Sequence, residues 1–115
     1  MIIYLKNKDT LLIDDFKFKC CIGKNGLTKK KKEGDKKTPV GIFSLGPLFF
    51  RKDKNKIPET KLKTFVIKKN MGWCNDIKSN KYNQLIKAND KIKHEKMFRQ
   101  DYKYDFVIPI NYNSK

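Results

Sequence analysis

Nucleophilic catalysis requires a thiol or hydroxyl, a base that takes its proton, and donors for the oxyanion that develops. In this chain the one pairing that could supply the first two is Cys74 with His94, the sole histidine. Cys74 sits in Gly72-Trp73-Cys74-Asn75-Asp76, and an imidazolium beside it would lower its thiol pKa. The plainer reading makes Cys74 a small hydrophobe behind Trp73, and His94, between Lys93 and Glu95, a surface histidine. Cys20, Cys21, Cys74 and His94 could be assembled into a metal set. They lack the Cys-x-x-Cys knuckle that marks zinc sites, so no metal is expected. Asp14-Asp15 reads as a turn with solvated carboxylates rather than an acid–base pair. Gly23-Lys24-Asn25-Gly26 lacks the Gly-Lys-Ser/Thr ending of a phosphate loop and reads as a β-hairpin loop.

These residues depend on strands for their placement. Ile2–Lys6 and Thr10–Ile13 read as a hairpin joined through Asn7-Lys8-Asp9. Phe16–Ile22 alternates Phe16, Phe18 and Cys20 with Lys17 and Lys19, the period of a strand with one face in the core. A long polar loop follows, punctuated by Gly23, Asn25, Gly26, Gly34 and Asp35, with Lys29–Lys37 expected to be locally flexible. Thr38, preceding Pro39, is pushed to an extended conformation that leads into an expected strand over Val40–Leu45. Further strands are expected over Leu48–Arg51, after the Gly46-Pro47 turn marker, over the alternating Leu62–Ile67, and in the final run Asp105–Asn113. Tyr82, Leu85 and Ile86 fall at helical spacing. The expectation is a single, mainly β domain over residues 1–115, a mixed-sheet sandwich or partial barrel with one or two short helices.

Composition narrows the functional classes. A formal net charge of +16 invites a nucleic-acid reading. Of the 28 basic residues, however, only Arg51 and Arg99 are arginine, the residue that base-edge and phosphate-fork recognition favours. Tyr102-Lys103-Tyr104 and Phe49-Phe50-Arg51 interleave aromatics with cations as single-strand binders do, yet no nucleic-acid motif accompanies them, so no specific nucleic-acid partner is expected. Three cysteines in no disulfide-like spacing suggest reduced thiols. The apolar run at the N-terminus is too short for a signal peptide or a membrane span.

An ordered series of motifs carries a resemblance. It begins with Ile22-Gly23-Lys24-Asn25-Gly26, Lys31-Lys32-Glu33-Gly34-Asp35 and Thr38-Pro39-Val40-Gly41-Ile42-Phe43. It continues through Phe50-Arg51-Lys52-Asp53, Gly72-Trp73-Cys74-Asn75-Asp76, Tyr82-Asn83, Phe98-Arg99-Gln100-Asp101, Tyr104-Asp105 and Asn111-Tyr112-Asn113. The series resembles the front part of an L,D-transpeptidase catalytic domain of the YkuD type and covers nearly the whole chain. The resemblance implies a cell-wall transferase whose partners are peptidoglycan stem peptides. A cysteine thiolate attacks the stem carbonyl next to the terminal D-alanine, which leaves. The side-chain amine of a diaminopimelate on a neighbouring stem then releases the acyl-enzyme, with no cofactor. It also implies a periplasmic or cell-wall location. The family's catalytic His and Ser/Thr-x-Gly-Cys segment have no counterpart among the 115 residues, so the chain is expected to lack the C-terminal part of the domain and to be inactive alone. Gly72, Trp73, Tyr104 and Asp105 are the expected walls of a substrate groove. Phe106–Tyr112, without its neighbouring strand, is expected to promote self-association. The alternatives are a catalytically inactive cell-wall-binding module and a basic nucleic-acid-binding β-domain.

Overall fold

Two-residue turns dominate the start of the chain. In the computed structural model, which describes residues 2–88 and 91–112, β1 (Ile3–Asn7), β2 (Thr10–Ile13) and β3 (Phe16–Lys19) form an antiparallel meander. Asn7 Oδ1 accepts a hydrogen bond from the Asp9 amide at the first turn. At the second, Asp14 takes the left-handed conformation, φ 52°, which two-residue hairpin loops require and which Asp tolerates. Register places Ile3, Ile13 and Phe16 in one cross-strand row and Leu5, Leu11 and Phe18 in another. One face of the meander is therefore apolar, while Lys6, Lys17 and Lys19 alternate to the other side.

The same compact unit, Met1–Ile42, holds the short parallel pair β4 (Leu27–Thr28) and β5 (Thr38–Pro39). The loop that joins them is internally bonded rather than loose. The Asp35 carboxylate accepts from the Lys31 ammonium and from the amides of Lys32 and Lys37. Asn25 donates from its amide to Lys36 O and from Nδ2 to Asp35 O. Gly23 donates to Thr38 Oγ1 at 2.7 Å. A Cβ on Gly23 would lie 2.5 Å from Lys36 O, so only glycine allows the two loop ends to approach this closely.

The second unit, Phe43–Lys115, contains two three-stranded sheets. In one, β6 (Leu48–Phe50) lies between β7 (Thr64–Val66), which runs parallel to it, and β11 (Phe106–Val107), which runs antiparallel. In the other, β8 (Met71–Cys74) lies between β9 (Leu85–Lys87) and β10 (His94–Lys96), both antiparallel. Phe49, Ile67 and Met97 form the buried centre, joined by Met71, Trp73, Phe98, Tyr104 and Val107. The Phe49 ring stacks on Phe65 at 5.5 Å and meets Trp73 edge-on at 6.4 Å, geometries that suit aromatic quadrupoles.

The chain is thus mainly β. Among the described residues there is no helix, and none is long and apolar enough to cross a membrane. The expectation of one or two short helices is corrected. Residues 76–84 make successive four-residue turns, Asp76 to Ser79, Ser79 to Tyr82 and Lys81 to Gln84, and Asn83 at φ 60° stops any helix from continuing. Leu85 and Ile86 are then captured as cross-strand partners of Trp73 and Gly72. The expected strand over Val40–Leu45 is also absent; Leu45 makes one bridge, to Ile110, and Ile42 is fully exposed. Phe106, Ile108 and Ile110 are exposed along the final run. Asn113, the end of that run and of the Asn111-Tyr112-Asn113 motif, lies outside the described residues.

The Asp35 bonds lower its pKa from 3.8 to about 2, the Lys31 hydrogen bond foremost. A carboxylate whose folded pKa is depressed stabilises the loop above its unfolded pKa, and the contribution is lost as pH falls through the folded value. The amide resonances of Lys32 and Lys37 should therefore titrate together with a midpoint near pH 2. A midpoint near 4, the value of a free carboxyl, would show that the loop is not held this way.

Candidate functional site

Two Phe-Arg-x-Asp segments stand at the centre of the second unit. Arg51 follows β6, and Arg99 follows Met97 and Phe98 of the core. In both segments arginine grips the aspartate two residues on. Arg51 Nε and Nη2 reach Asp53 at 2.8 and 2.7 Å, and Arg99 Nε and Nη2 reach Asp101 at 2.9 and 2.7 Å. The carboxylates are held below their usual range by these arginines, Asp101 at about 2. The environments differ. Arg51 is 4% exposed, its guanidinium lies 3.6 Å above the Phe98 ring centroid, and Nη1 donates to the Arg99 carbonyl. A planar cation can stack and hydrogen-bond in its own plane at once, which lysine cannot do. Arg99 is partly exposed, and its guanidinium donates to its own aspartate.

Across the other sheet, Cys74 and His94 are register partners on β8 and β10. The neighbouring pair carries the ladder bond, Asn75 N to Lys93 O, so Cys74 and His94 form a non-hydrogen-bonded pair, in which side chains lie closest. His94 is half-buried. Its Nδ1 is 2.8 Å from Ile92 O, and because a carbonyl only accepts, Nδ1 carries the proton and Nε2 keeps its lone pair in the neutral ring. The imidazole lies over Gly72, where a Cβ would come within 2.6 Å of His94 Cδ2. Cys74 is 1% exposed. No hydrogen bond joins its thiol to the imidazole among the described residues, and the thiol is enclosed rather than presented to solvent. Asn75 Oδ1, next along the chain, is buried without a hydrogen-bond partner among the described residues.

The other expected site residues are distributed as follows. Trp73 packs on the core, and its Nε1 donates to Asn83 Oδ1 at 3.0 Å. The Asn83 amide in turn donates to Tyr112 O. Tyr104 packs on the same core, and burial together with its hydrogen bond to Glu95 pushes its phenol well above the ordinary value. Asp105 pairs with Lys54 at 3.2 Å. Trp73 and Tyr104 therefore share one core cluster, while Gly72, by strand alternation, points to the opposite face of β8 with Cys74. Glu95, Asn83 and Lys54 hold these residues in place. Only Asn83 had a sequence signal, in Tyr82-Asn83; Glu95 and Lys54 lie in polar stretches without pattern. Among the described residues no group of three or more His, Cys, Asp or Glu is arranged to hold a metal ion.

Comparison with protein-family models, curated proteins and solved structures yields no match for this chain.

Two substitutions test the geometry. Gly72→Ala should displace the His94 ring and cost about 1–3 kcal/mol, as overpacking does. Loss of the imidazole's tautomer-specific nitrogen shifts would report the displacement, and unchanged shifts would refute it. Arg51→Lys should lower the denaturation midpoint clearly, whereas Arg99→Lys should barely move it. Equal shifts would mean that stacking on Phe98 contributes nothing.

Proposed function

We propose that this chain is the scaffold and substrate-facing part of an L,D-transpeptidase-like domain that acts on peptidoglycan stem peptides. One observation carries the reading. The segments that bear the resemblance are far apart in sequence yet meet in space: Arg51 stacks on Phe98 and donates to the Arg99 carbonyl, its amide donates to Asp105 O, and Trp73 and Tyr104 pack on one core cluster. A catalytic-domain scaffold needs such cross-linking among its motifs, whereas an accidental series has no reason to have it.

In this reading acyl transfer follows the family's course. A thiolate displaces D-alanine from the donor stem, and the acceptor's amine takes the acyl group. The residues that perform it are not Cys74 and His94. The enclosure of Cys74 supports the companion reading that the 115 residues bind stem peptide without turning it over. Trp73, Tyr104 and Asp105 are structural supports of the wall rather than groups that touch the reacting carbonyl.

The test uses the purified 115-residue protein and a tetrapeptide stem. Binding should be measurable by calorimetry, with no D-alanine released and no mass increase on Cys74. Absence of binding would overturn the proposal. Release of D-alanine that is abolished by Cys74→Ala would instead make Cys74 the nucleophile and overturn the division of labour.

A further inference from the structure

Residues 23–38 carry seven lysines against Glu33 and Asp35, and neither arginine nor any aromatic residue. Lys31 is turned inward to Asp35, while Lys24, Lys29, Lys30, Lys32, Lys36 and Lys37 are exposed. Like charges this dense repel and would spread an unconstrained loop. Here they are held together. Asp35 accepts three hydrogen bonds, Asn25 ties both its amides to the far side, and Thr38 N donates to Gly26 O at 2.8 Å. Gly23 has no room for a side chain at the base. The bonds fix a positive surface that a merely solvated lysine run does not have.

We propose that this loop is a docking surface for an anionic polysaccharide, one whose carboxylate or phosphate groups recur along the sugar chain. Ammonium groups are compact point charges that meet oxyanions without demanding a planar, two-pronged geometry. A row of them on a fixed loop matches a flexible polymer with spaced charges. Nucleic acid is the poorer fit, because the loop offers no ring for base stacking and no arginine for base edges. A membrane surface is poorer still, since residues 29–37 contain no apolar side chain to enter the interface. The proposal does not depend on acyl transfer or on stem-peptide binding.

Asp35→Asn separates a built surface from bulk charge. It makes the protein more positive, so attraction by charge alone predicts tighter binding, whereas loss of the pinned loop predicts weaker binding. Affinities of the full chain for polygalacturonate, a phosphomannan and a charge-matched single-stranded DNA would be measured at fixed salt. Lys29→Gln/Lys30→Gln/Lys32→Gln should weaken binding to one or both glycans by more than about tenfold. Lys61→Gln/Lys68→Gln/Lys69→Gln removes the same charge from the other unit and should have little effect. Neither triple touches the bonds that hold the loop, so both fold if the parent does. The glycan that responds identifies carboxylate or phosphate as the charge read. Equal losses from the two triples, tighter binding by Asp35→Asn, or tighter binding to DNA than to either glycan would each overturn the proposal.

Discussion

A guanidinium taken out of water must find partners for its charge and for its nitrogens, or it destabilises the fold that encloses it. Arg51 meets that demand from three directions. Asp53 takes two of its donors, the Arg99 carbonyl takes a third, and the Phe98 ring lies against its flat face. Each partner comes from a segment that must already be in place. The backbone after β6 has to turn so that Asp53 faces back, and the Arg51 amide bonds to Asp105 O beside β11. The stretch around residues 98–101 has to cross at the right height. A single residue thereby couples the end of β6 to both later segments, its side chain to residues 98–99 and its backbone amide to Asp105.

Asp35 plays a corresponding part in the first unit with the opposite charge. It holds backbone amides as well as a side chain, and this closes the long connection between β4 and β5. Both residues show one ionised group replacing the regular ladder where strands are two or three residues long. With strands so short, backbone pairing alone fixes little, and the charged pins supply the specificity. Arg99 shows what the same local motif amounts to without enclosure, a surface pair of the kind that contributes little to stability.

The sequence made some of this legible and hid the rest. The meander could be read because alternation, Asn7-Lys8-Asp9 and Asp14-Asp15 agreed on where strands and turns fall. β6 was visible as an apolar run behind Gly46-Pro47. β10, His94-Glu95-Lys96, carries no apolar alternation, and it becomes a strand only because the β8 edge is there to pair with it. Without β10 the adjacency of Cys74 and His94 could not be inferred, and His94 read as a surface residue. The reverse error came from Val40–Leu45, apolar enough for a strand but bridged only at Leu45, to Ile110, among the described residues. Helical spacing at Tyr82, Leu85 and Ile86 misled for a related reason: two of the three belong to a strand, where their neighbours across the sheet, not along the chain, decide the conformation.

The strand order of the second unit bears on how the chain is made. β6 is Leu48-Phe49-Phe50, buried on every residue and central in its sheet. Its parallel neighbour β7 emerges soon after it, but its antiparallel neighbour β11 is translated only after β8, β9 and β10. During synthesis an open, strongly apolar edge therefore waits on the ribosome-bound chain for a partner that does not yet exist, the situation in which nascent proteins are captured by chaperones or by one another. The meander ahead of it closes over turns of two residues and has no such delay. Lys52, Lys54 and Lys56 follow β6 directly, and like charges in that position oppose the zipping of one unfinished edge onto another.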